Sequence, residues 1–172
     1  MQSGQEEKKQ YSWYAARTRF GQEIKIRDRL DKLGVENFIP SEKRKNYRGK
    51  TKEHPVIPCL VFLRATREAA CALKTEQAMP MEYLFDHATR TMLVIPDKQM
   101  QDFQRVFNAD ISEGGLVQVP LKLGERVRVE KGPLMGVEGY TMDIQGDLFV
   151  VVGLCGITFA KARIPRAYLQ KI

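Results

Sequence analysis

The chain has 172 residues, which suits one large domain or two small ones. Hydrophobic residues make up 43% and charged residues 28%, a composition that excludes disorder over the whole chain. The 28 basic and 21 acidic side chains give a formal net charge of +7. Since no stretch is apolar enough to cross a bilayer and the first residues lack the apolar segment of a signal peptide, we expect a cytoplasmic protein without membrane contact.

The cysteines and histidines limit the kinds of metal and disulfide site that the chain can form. The three cysteines, Cys59, Cys71 and Cys155, form no C-x-x-C pair, and only two histidines are present, which argues against a disulfide framework and a structural zinc site. We therefore expect buried free thiols and neither metal nor cofactor. The sequence contains neither a phosphate-binding loop nor a nucleophile–base set that would indicate an enzyme.

The positive charge is concentrated near the N-terminus. Residues 1–56 carry 14 basic and 8 acidic side chains, a net +6. One stretch without any acid holds six of the cations, with Tyr47 among them and Gly49 suited to a turn: Lys43, Arg44, Lys45, Arg48, Lys50 and Lys52. Two compatible interpretations are a solvated hairpin tip or loop, and a finger that meets the phosphates of a nucleic acid.

In chain order, the first half mixes strands and helices. Helical spacing of Ile26, Leu30 and Leu33 predicts a helix that ends at Gly34. The apolar run at 56–63 predicts a central strand buried on both faces, with Pro58 near its start or at a bulge. The full series is a strand at 11–17, a helix at 20–33, strands at 35–39 and 56–63, a helix at 66–76 capped by Thr66 with Ala69, Ala70 and Leu73 inward, strands at 83–85 and 92–95, and a helix at 97–107. This order predicts an α+β sandwich with helices on a sheet.

The second half follows a different pattern. Residues 108–120 lack periodicity and contain Gly114, Gly115 and Pro120, which predicts an interdomain linker. Alternating or apolar strands are then predicted at 126–129, 136–142, 148–154 and 158–164. Turns about every ten residues favour a small closed or nearly closed β barrel.

Residues from both halves carry a resemblance to a known family. The N-terminal ones are Trp13 and Tyr14 on the first strand, Glu23, Pro40, Pro58 and the Pro96-Asp97-Lys98 run; the C-terminal ones are the run from Leu123 to Val129, Gly132-Pro133-Leu134, Gly136, Gly139 and Gly156. With these features the chain resembles the NusG family of transcription elongation factors. The resemblance implies an NGN-like domain at 11–107, a linker at 108–120 and an SH3-like KOW β barrel at 121–172. We expect residues 1–10 to form a disordered N-terminal tail.

Departures from the family pattern point to a subtype. The central strand usually carries a glycine and a tyrosine where Cys59 and Leu60 stand, and the KOW loop usually carries a phenylalanine where Cys155 precedes Gly156. Among specialised paralogues, the chain most resembles the UpxY-type antiterminators of capsular polysaccharide operons and, more distantly, the RfaH-like ones.

The resemblance also implies partners and their contact residues. The NGN-like domain would bind the clamp helices of RNA polymerase and hold the clamp closed, which suppresses pausing and termination, and the chain would act as a monomer. The polymerase-binding candidates are Tyr14, Arg17, Thr18, Phe20, Pro58, Leu60 and Phe62. The residues expected to meet non-template or upstream DNA are Lys43, Arg44, Lys45, Tyr47, Arg48, Lys50 and Lys52. A small-subunit ribosomal protein or a termination factor would meet Leu154, Cys155, Gly156 and Ile157.

Two alternatives remain open from the sequence. One is a housekeeping NusG-type factor, although the altered KOW loop argues against it. The other, from a different class, is an RNA-binding KOW protein. Residues 111–172 carry 8 basic and 6 acidic side chains, so the KOW half lacks the strong positive charge that such a protein needs.

Overall fold

The computed structural model describes residues 8–109, 115–117 and 122–172. Across these ranges the fold is α+β, with three α-helices and antiparallel sheets, which confirms the predicted class. The chain divides into two compact units, Met1–Val94 and Ile95–Ile172. Residues 1–7 of the predicted tail, and 110–114 and 118–121 around the predicted linker, lie outside the described residues. None of the described helices is long and apolar enough to span a membrane.

The N-terminal unit contains two helices and several short strands. In chain order its elements are β1 (Ser12–Thr18), α1 (Glu23–Lys32), β2 (Glu36–Phe38), β3 (Ser41–Lys45), β4 (Thr51–Pro55), β5 (Leu60–Ala65), α2 (Arg67–Thr75), β6 (Met81–Tyr83), β7 (Phe85–Asp86) and β8 (Thr91–Met92). The strand β9 (Val94–Ile95) lies at the boundary with the second unit.

The core of the N-terminal unit lies between its sheet and its two helices. The strands are ordered β2-β5-β1-β6, so β5 is central, as the apolar run predicted. Ile26 and Leu30 of α1 are buried, as their helical spacing predicted, and Thr66 caps α2 by accepting a hydrogen bond from the Ala69 backbone N–H at 3.2 Å. The strands contribute Tyr14, Ala16, Val61, Leu63 and Ala65 to the same core, and α2 contributes Ala70 and Leu73.

Several predictions for this unit were wrong in detail. β5 begins at Leu60 rather than at 56, because Pro58 has no N–H to donate and Cys59 adopts a left-handed φ of 63°. Leu33 is exposed, since the helix ends there. Ala69 is exposed as well, one position from the buried Ala70.

The predicted burial of the thiols was also wrong. Cys71 and Cys155 are exposed and Cys59 is half-buried. Cys71 lies on the outer face of α2, and Cys59 and Cys155 lie in turns with positive φ, where the chain turns away from the core. Cysteine content alone does not distinguish these sites from buried ones.

The C-terminal unit consists of one long helix and a sheet. Its elements are α3 (Asp97–Ala109), β10 (Gly115–Val117), β11 (Arg126–Val129), β12 (Glu138–Ile144), β13 (Asp147–Leu154), β14 (Thr158–Arg163), a 3₁₀ turn (Arg166–Tyr168) and β15 (Leu169–Lys171). The antiparallel order is β10-β14-β13-β12-β11-β15. Within the described residues no pairing joins β10 to β15, so the predicted closed barrel stays a prediction.

Two described elements reach into the range 108–120 that was predicted as a linker. α3 continues through Ala109, and β10 pairs antiparallel with β14 from Gly115 opposite Lys161 to Val117 opposite Phe159. The helix predicted at 97–107 also groups with the C-terminal strands rather than with the N-terminal sheet. The predicted domain ranges therefore stay a prediction.

Polar side chains of α3 bind the C-terminal sheet. Asp102 is 3% exposed, and its carboxylate accepts hydrogen bonds from Lys98 Nζ at 2.6 and 2.7 Å and from the Glu138 N–H at 3.2 Å. Three residues further along the helix, Arg105 donates to two carbonyls of the turn at 133–135, at 2.9 and 2.8 Å. One face of the helix thus carries the groups that attach it to this sheet.

Candidate functional site

The basic residues at 43–52 form a β-hairpin, which we call the basic hairpin. β3 and β4 pair antiparallel, from Ser41 opposite Pro55 to Lys45 opposite Thr51. All six basic side chains are exposed, and Tyr47 is 90% exposed at the turn. The Arg48 guanidinium lies 5.2 Å from the centre of the Tyr47 ring. The seven residues predicted to meet nucleic acid therefore lie together on one exposed ribbon.

Asn46 shapes the turn of the basic hairpin. Its side-chain oxygen accepts hydrogen bonds from the backbone N–H groups of Arg48 at 3.0 Å and of Lys50 at 2.9 Å. Gly49 supplies the left-handed φ of 74° that the turn requires. Because an asparagine that bonds the backbone two residues on is a common turn signal, Asn46 could have been recognised in the sequence, yet it was missed.

The base of the basic hairpin is attached to α1. Arg27 of α1 donates to Glu53 of β4 at 2.6 Å, and Ser41 of β3 donates to the other oxygen of the same carboxylate. These two hydrogen bonds, from Ser41 and from Arg27, hold the pKa of Glu53 below its ordinary value. The ion pair joins the base of the basic hairpin to α1.

A second group of predicted residues lies where β1 leads into α1, a surface that we call the corner. It consists of Arg17, Thr18 and Phe20, with Pro58 in the loop before β5. The Thr18 N–H donates to the Cys59 carbonyl at 3.0 Å, and the Cys59 N–H donates to Glu23 Oε1 at 2.7 Å. Glu23 is 2% exposed and lies in the first turn of α1, where the helix dipole favours a negative charge. One buried carboxylate thus joins the corner, the loop before β5 and the helix.

The corner presents an exposed aromatic ring. Phe20 is 82% exposed, Arg17 and Pro58 are exposed, and Thr18 is half-buried. Next to them lies an open depression of about 460 Å³, lined by Arg17, Thr18, Arg19, Met79, Pro80, Met81 and Glu82. The segment at 79–82 was not among the predicted contact residues. Its hydrophobic side chains carry no pattern in the sequence that separates a surface groove from the core.

A comparison with known protein families covers the residues of the basic hairpin and of the corner. A family model described as transcription termination factor nusG matches residues 11–104, which is more than half of the chain and includes both the basic hairpin and the corner. The chain belongs to the NusG family. NusG-family proteins are transcription factors that bind RNA polymerase and are not enzymes. No curated protein matched the chain.

Three of the predicted polymerase-binding residues of this NusG-family chain are buried. Tyr14 and Leu60 are each 4% exposed and Phe62 is 0% exposed. Tyr14 packs edge-on against Tyr83, with 6.1 Å between ring centres, and Phe62 stacks on Phe38 at 6.4 Å. These three side chains are buried in the free chain, and their contact with polymerase stays a prediction.

The four residues predicted to bind a further partner form the turn between β13 and β14, outside the matched range. Leu154 is 0% exposed, Cys155 and Gly156 are exposed and Ile157 is half-buried, and their contact with a further partner stays a prediction. The turn also contacts α3, since Gln99 Oε1 accepts hydrogen bonds from the Cys155 N–H at 2.9 Å and from Sγ at 3.2 Å. Gln99 was missed, because nothing in the sequence pairs it with this turn.

The basic hairpin and the corner expose groups that can bind other molecules. No three His, Cys, Asp or Glu side chains of the described residues are grouped so that they could hold a metal ion. The groups that the basic hairpin and the corner offer are guanidinium and ammonium cations, a phenol ring and an exposed phenyl ring. Cations recognise phosphate, and aromatic rings anchor protein interfaces or stack on bases.

Proposed function

We propose that this chain is an elongation and antitermination factor whose N-terminal unit binds the clamp helices of RNA polymerase through Arg17, Thr18, Phe20 and Pro58. The observation that carries the proposal is Phe20, whose ring is 82% exposed on a hydrogen-bonded corner within the residues that match the family. A ring held in water by a fixed backbone loses little freedom on binding, and such rings are common anchors of interfaces.

The mechanism is a shift of a conformational equilibrium. A factor that binds the closed clamp more tightly than the open clamp favours the closed state by the difference of the two binding free energies. Since paused and terminating complexes need the clamp to move, closing it suppresses both. No bond is made or broken by the chain itself.

The basic hairpin supports a second contact, with DNA inside the elongation complex. Six exposed cations without an acid between 43 and 52 attract a polyanion and displace its counterions. The exposed non-template strand and the upstream duplex are the two nucleic acids that this surface would meet. Contacts to phosphate position the factor without reading sequence.

The subtype proposed is the specialised antiterminator of polysaccharide-type operons. Its support is the departure from the family pattern at the loop before β5 and at the turn after β13. Cys59 takes a φ of 63° and Cys155 a φ of 47°, conformations that favour glycine, so both cysteines occupy strained positions. These are differences in surface loops, where specialised partners are recognised.

The C-terminal strands are proposed to form the SH3-like KOW barrel. The glycines of the pattern support it: Gly132 and Gly136 have φ of 82° and 89°, and a Cβ at Gly139 would clash with the Val151 carbonyl. Cys155, Gly156 and Ile157 would then meet a small-subunit ribosomal protein or a termination factor. We further propose that the chain is cytoplasmic and monomeric.

The hairpin contact is tested by measuring affinity for a purified elongation complex at several salt concentrations. In the variant, all six basic residues of the basic hairpin are changed to Gln. We expect weaker binding and a lower slope of log affinity against log salt, by roughly 0.7 to 0.9 for each phosphate that the variant no longer neutralises.

A control outside the basic hairpin changes two exposed cations of α1, Lys25 and Lys32, to Gln. This control should leave affinity and salt slope close to those of the unmodified chain. If the six-residue variant keeps both quantities as well, the basic hairpin is a solvated ribbon and its proposed role in binding DNA is wrong.

A further inference from the structure

Glu23 is a buried carboxylate that is not among the residues proposed to meet polymerase. It is 2% exposed at the start of α1, and its Oε1 accepts a hydrogen bond from the Cys59 N–H at 2.7 Å. Removing a carboxylate from water costs free energy, and the helix dipole offsets only part of that cost. An exposed carboxylate in the first turn would interact with the dipole without being buried. The buried position of Glu23 therefore points to the loop that it binds.

The residue that Glu23 binds has a strained backbone. Cys59 has a φ of 63°, in the left-handed region, where the Cβ of any residue other than glycine lies too close to the backbone. Such a conformation persists only where the surrounding structure holds it. Glu23 holds the N–H of Cys59, and the Thr18 N–H donates to the Cys59 carbonyl at 3.0 Å. The bond to Glu23 is charge-assisted, which makes it the stronger of the two.

The hydrogen bonds of Cys59 join the two segments that form the corner. Pro58, which precedes Cys59, is exposed, and so is Phe20 in the segment between β1 and α1. Leu60, which follows Cys59, pairs with Arg17 at the end of β1. The side chain of Glu23 is too buried to meet a partner. Any effect that it has on binding must therefore pass through Cys59 and these two segments.

We propose that Glu23 is a positioning residue for polymerase binding, which acts by holding Cys59 in its left-handed conformation. Held in this way, Cys59 keeps Pro58 and Thr18 in the arrangement that the clamp helices recognise. The inference rests on the proposed function, which assigns the corner to polymerase. It adds a residue that touches no partner and raises the affinity by pre-organising the surface. It also gives the cysteine a consequence, since a glycine at position 59 would adopt this φ without being held.

Substitutions of Glu23 in the full chain test the proposal. The dissociation constant for purified RNA polymerase is measured below the melting temperature of every variant. Glu23→Ala removes the acceptor, whereas Glu23→Gln keeps a side-chain carbonyl of nearly the same size and position. Glu23→Ala should bind at least about tenfold more weakly, and Glu23→Gln should stay within about threefold of the unmodified chain.

Substitutions of Cys59 supply a rescue and its control. Because glycine adopts a positive φ readily, Cys59→Gly in the Glu23→Ala chain should strengthen binding again by at least about threefold. Cys59→Ala removes the thiol and keeps the Cβ, so it should recover no affinity in the Glu23→Ala chain and change little in the unmodified one. Cys59→Val should weaken binding even with Glu23 present, because a β-branched residue tolerates this φ least.

Hydrogen exchange measured residue by residue reports on the loop without any partner. In Glu23→Ala the amides of Cys59 and Thr18 should exchange faster, while the amide of Leu63 inside β5 keeps its protection. A merely structural role predicts a different result. The protection of all three amides would then fall together with the melting temperature, and the affinity of the folded chain would not change.

Different failures separate this inference from the function on which it rests. If Phe20→Ala weakens binding while Glu23→Ala and Cys59→Val do not, the corner binds polymerase and the positioning role is wrong. Rescue of Glu23→Ala by Cys59→Ala as complete as that by Cys59→Gly would also overturn the role of the left-handed backbone.

Two further outcomes are decisive. Should Glu23→Ala fail to fold, Cys59→Val decides, since a loss of affinity supports the proposal and unchanged affinity overturns it. If the unmodified chain does not bind polymerase, or if Phe20→Ala, Glu23→Ala and Cys59→Val all bind as tightly as the unmodified chain does, the proposed function of the corner is wrong and this inference fails with it.

Discussion

Two phenylalanines among the predicted polymerase-binding residues differ in exposure. Phe20 is 82% exposed, whereas Phe62 is fully buried and stacked on Phe38. We expect Phe20→Ala to weaken binding to RNA polymerase by about 1 to 3 kcal/mol without lowering the melting temperature. The matched control, Phe62→Ala, should lower the free energy of unfolding by about 3 to 5 kcal/mol. A large loss of stability in Phe20→Ala with unchanged binding would contradict the assignment of the corner.

Glu53 predicts a pH dependence of stability. Its pKa is lower in the folded chain than in the unfolded chain because Ser41 and Arg27 donate to the carboxylate. The stabilisation is therefore complete above the ordinary pKa of about 4.3 and is lost as the pH falls through the lowered folded value. The free energy of unfolding of the unmodified chain, compared with that of Glu53→Gln from about pH 6 to pH 3, should converge as the pH falls. A difference that does not change with pH would contradict this ion pair.

Some of these residue assignments could be made from the sequence and some could not. The six hairpin cations could be located, because a dense run of like charges cannot be buried. The burial of Tyr14, Leu60 and Phe62 could not be decided, since an apolar strand has the same pattern whether a partner or the protein itself covers its faces. The exposure of Cys71 and Cys155 depends on where helix and turn lie relative to the core, which composition does not contain.

At the scale of elements, α3 depends on one buried carboxylate. Asp102 accepts hydrogen bonds from Lys98 and from the Glu138 N–H, which joins the helix to β12. We expect Asp102→Ala to lower the free energy of unfolding by about 1 to 3 kcal/mol, because the Glu138 N–H loses its partner. Gln101→Ala, exposed on the same helix, should change it by less than about 0.5 kcal/mol. Similar effects of the two substitutions in urea unfolding would contradict the role of this carboxylate.

Element types were largely predictable, and element partners were not. The valine-rich run at 148–154 predicted a strand, since β-branched residues suit strands better than helices, and β13 (Asp147–Leu154) confirms it. α3 was predicted as a helix at 97–107, yet the hydrogen bonds that join it to the C-terminal strands come from Lys98, Asp102 and Arg105, which have the pattern of an ordinary polar face. β10 was missed because it lies in the run with Gly114 and Gly115 that predicted a linker, and no strand was predicted in the last eight residues, where β15 lies.

At the scale of the whole molecule, charge is distributed unevenly between the two halves. Residues 1–56 hold a net +6 of the total +7, and the basic hairpin lies in this part. The same part lies within the residues that match the NusG family, apart from the first ten. The proposed contacts with polymerase and with DNA therefore belong to one unit, and the proposed contact with a ribosomal protein or termination factor belongs to the other.

Transcription by purified RNA polymerase through a pause site and an intrinsic terminator tests most directly whether the chain suppresses both events through its corner. We expect the unmodified chain to shorten the pause and increase readthrough, and Phe20→Ala to lose both effects at concentrations where the unmodified chain is saturating. The control Lys25→Gln/Lys32→Gln should behave as the unmodified chain does. Longer pauses, increased termination, or full activity of Phe20→Ala would contradict the proposed antitermination mechanism.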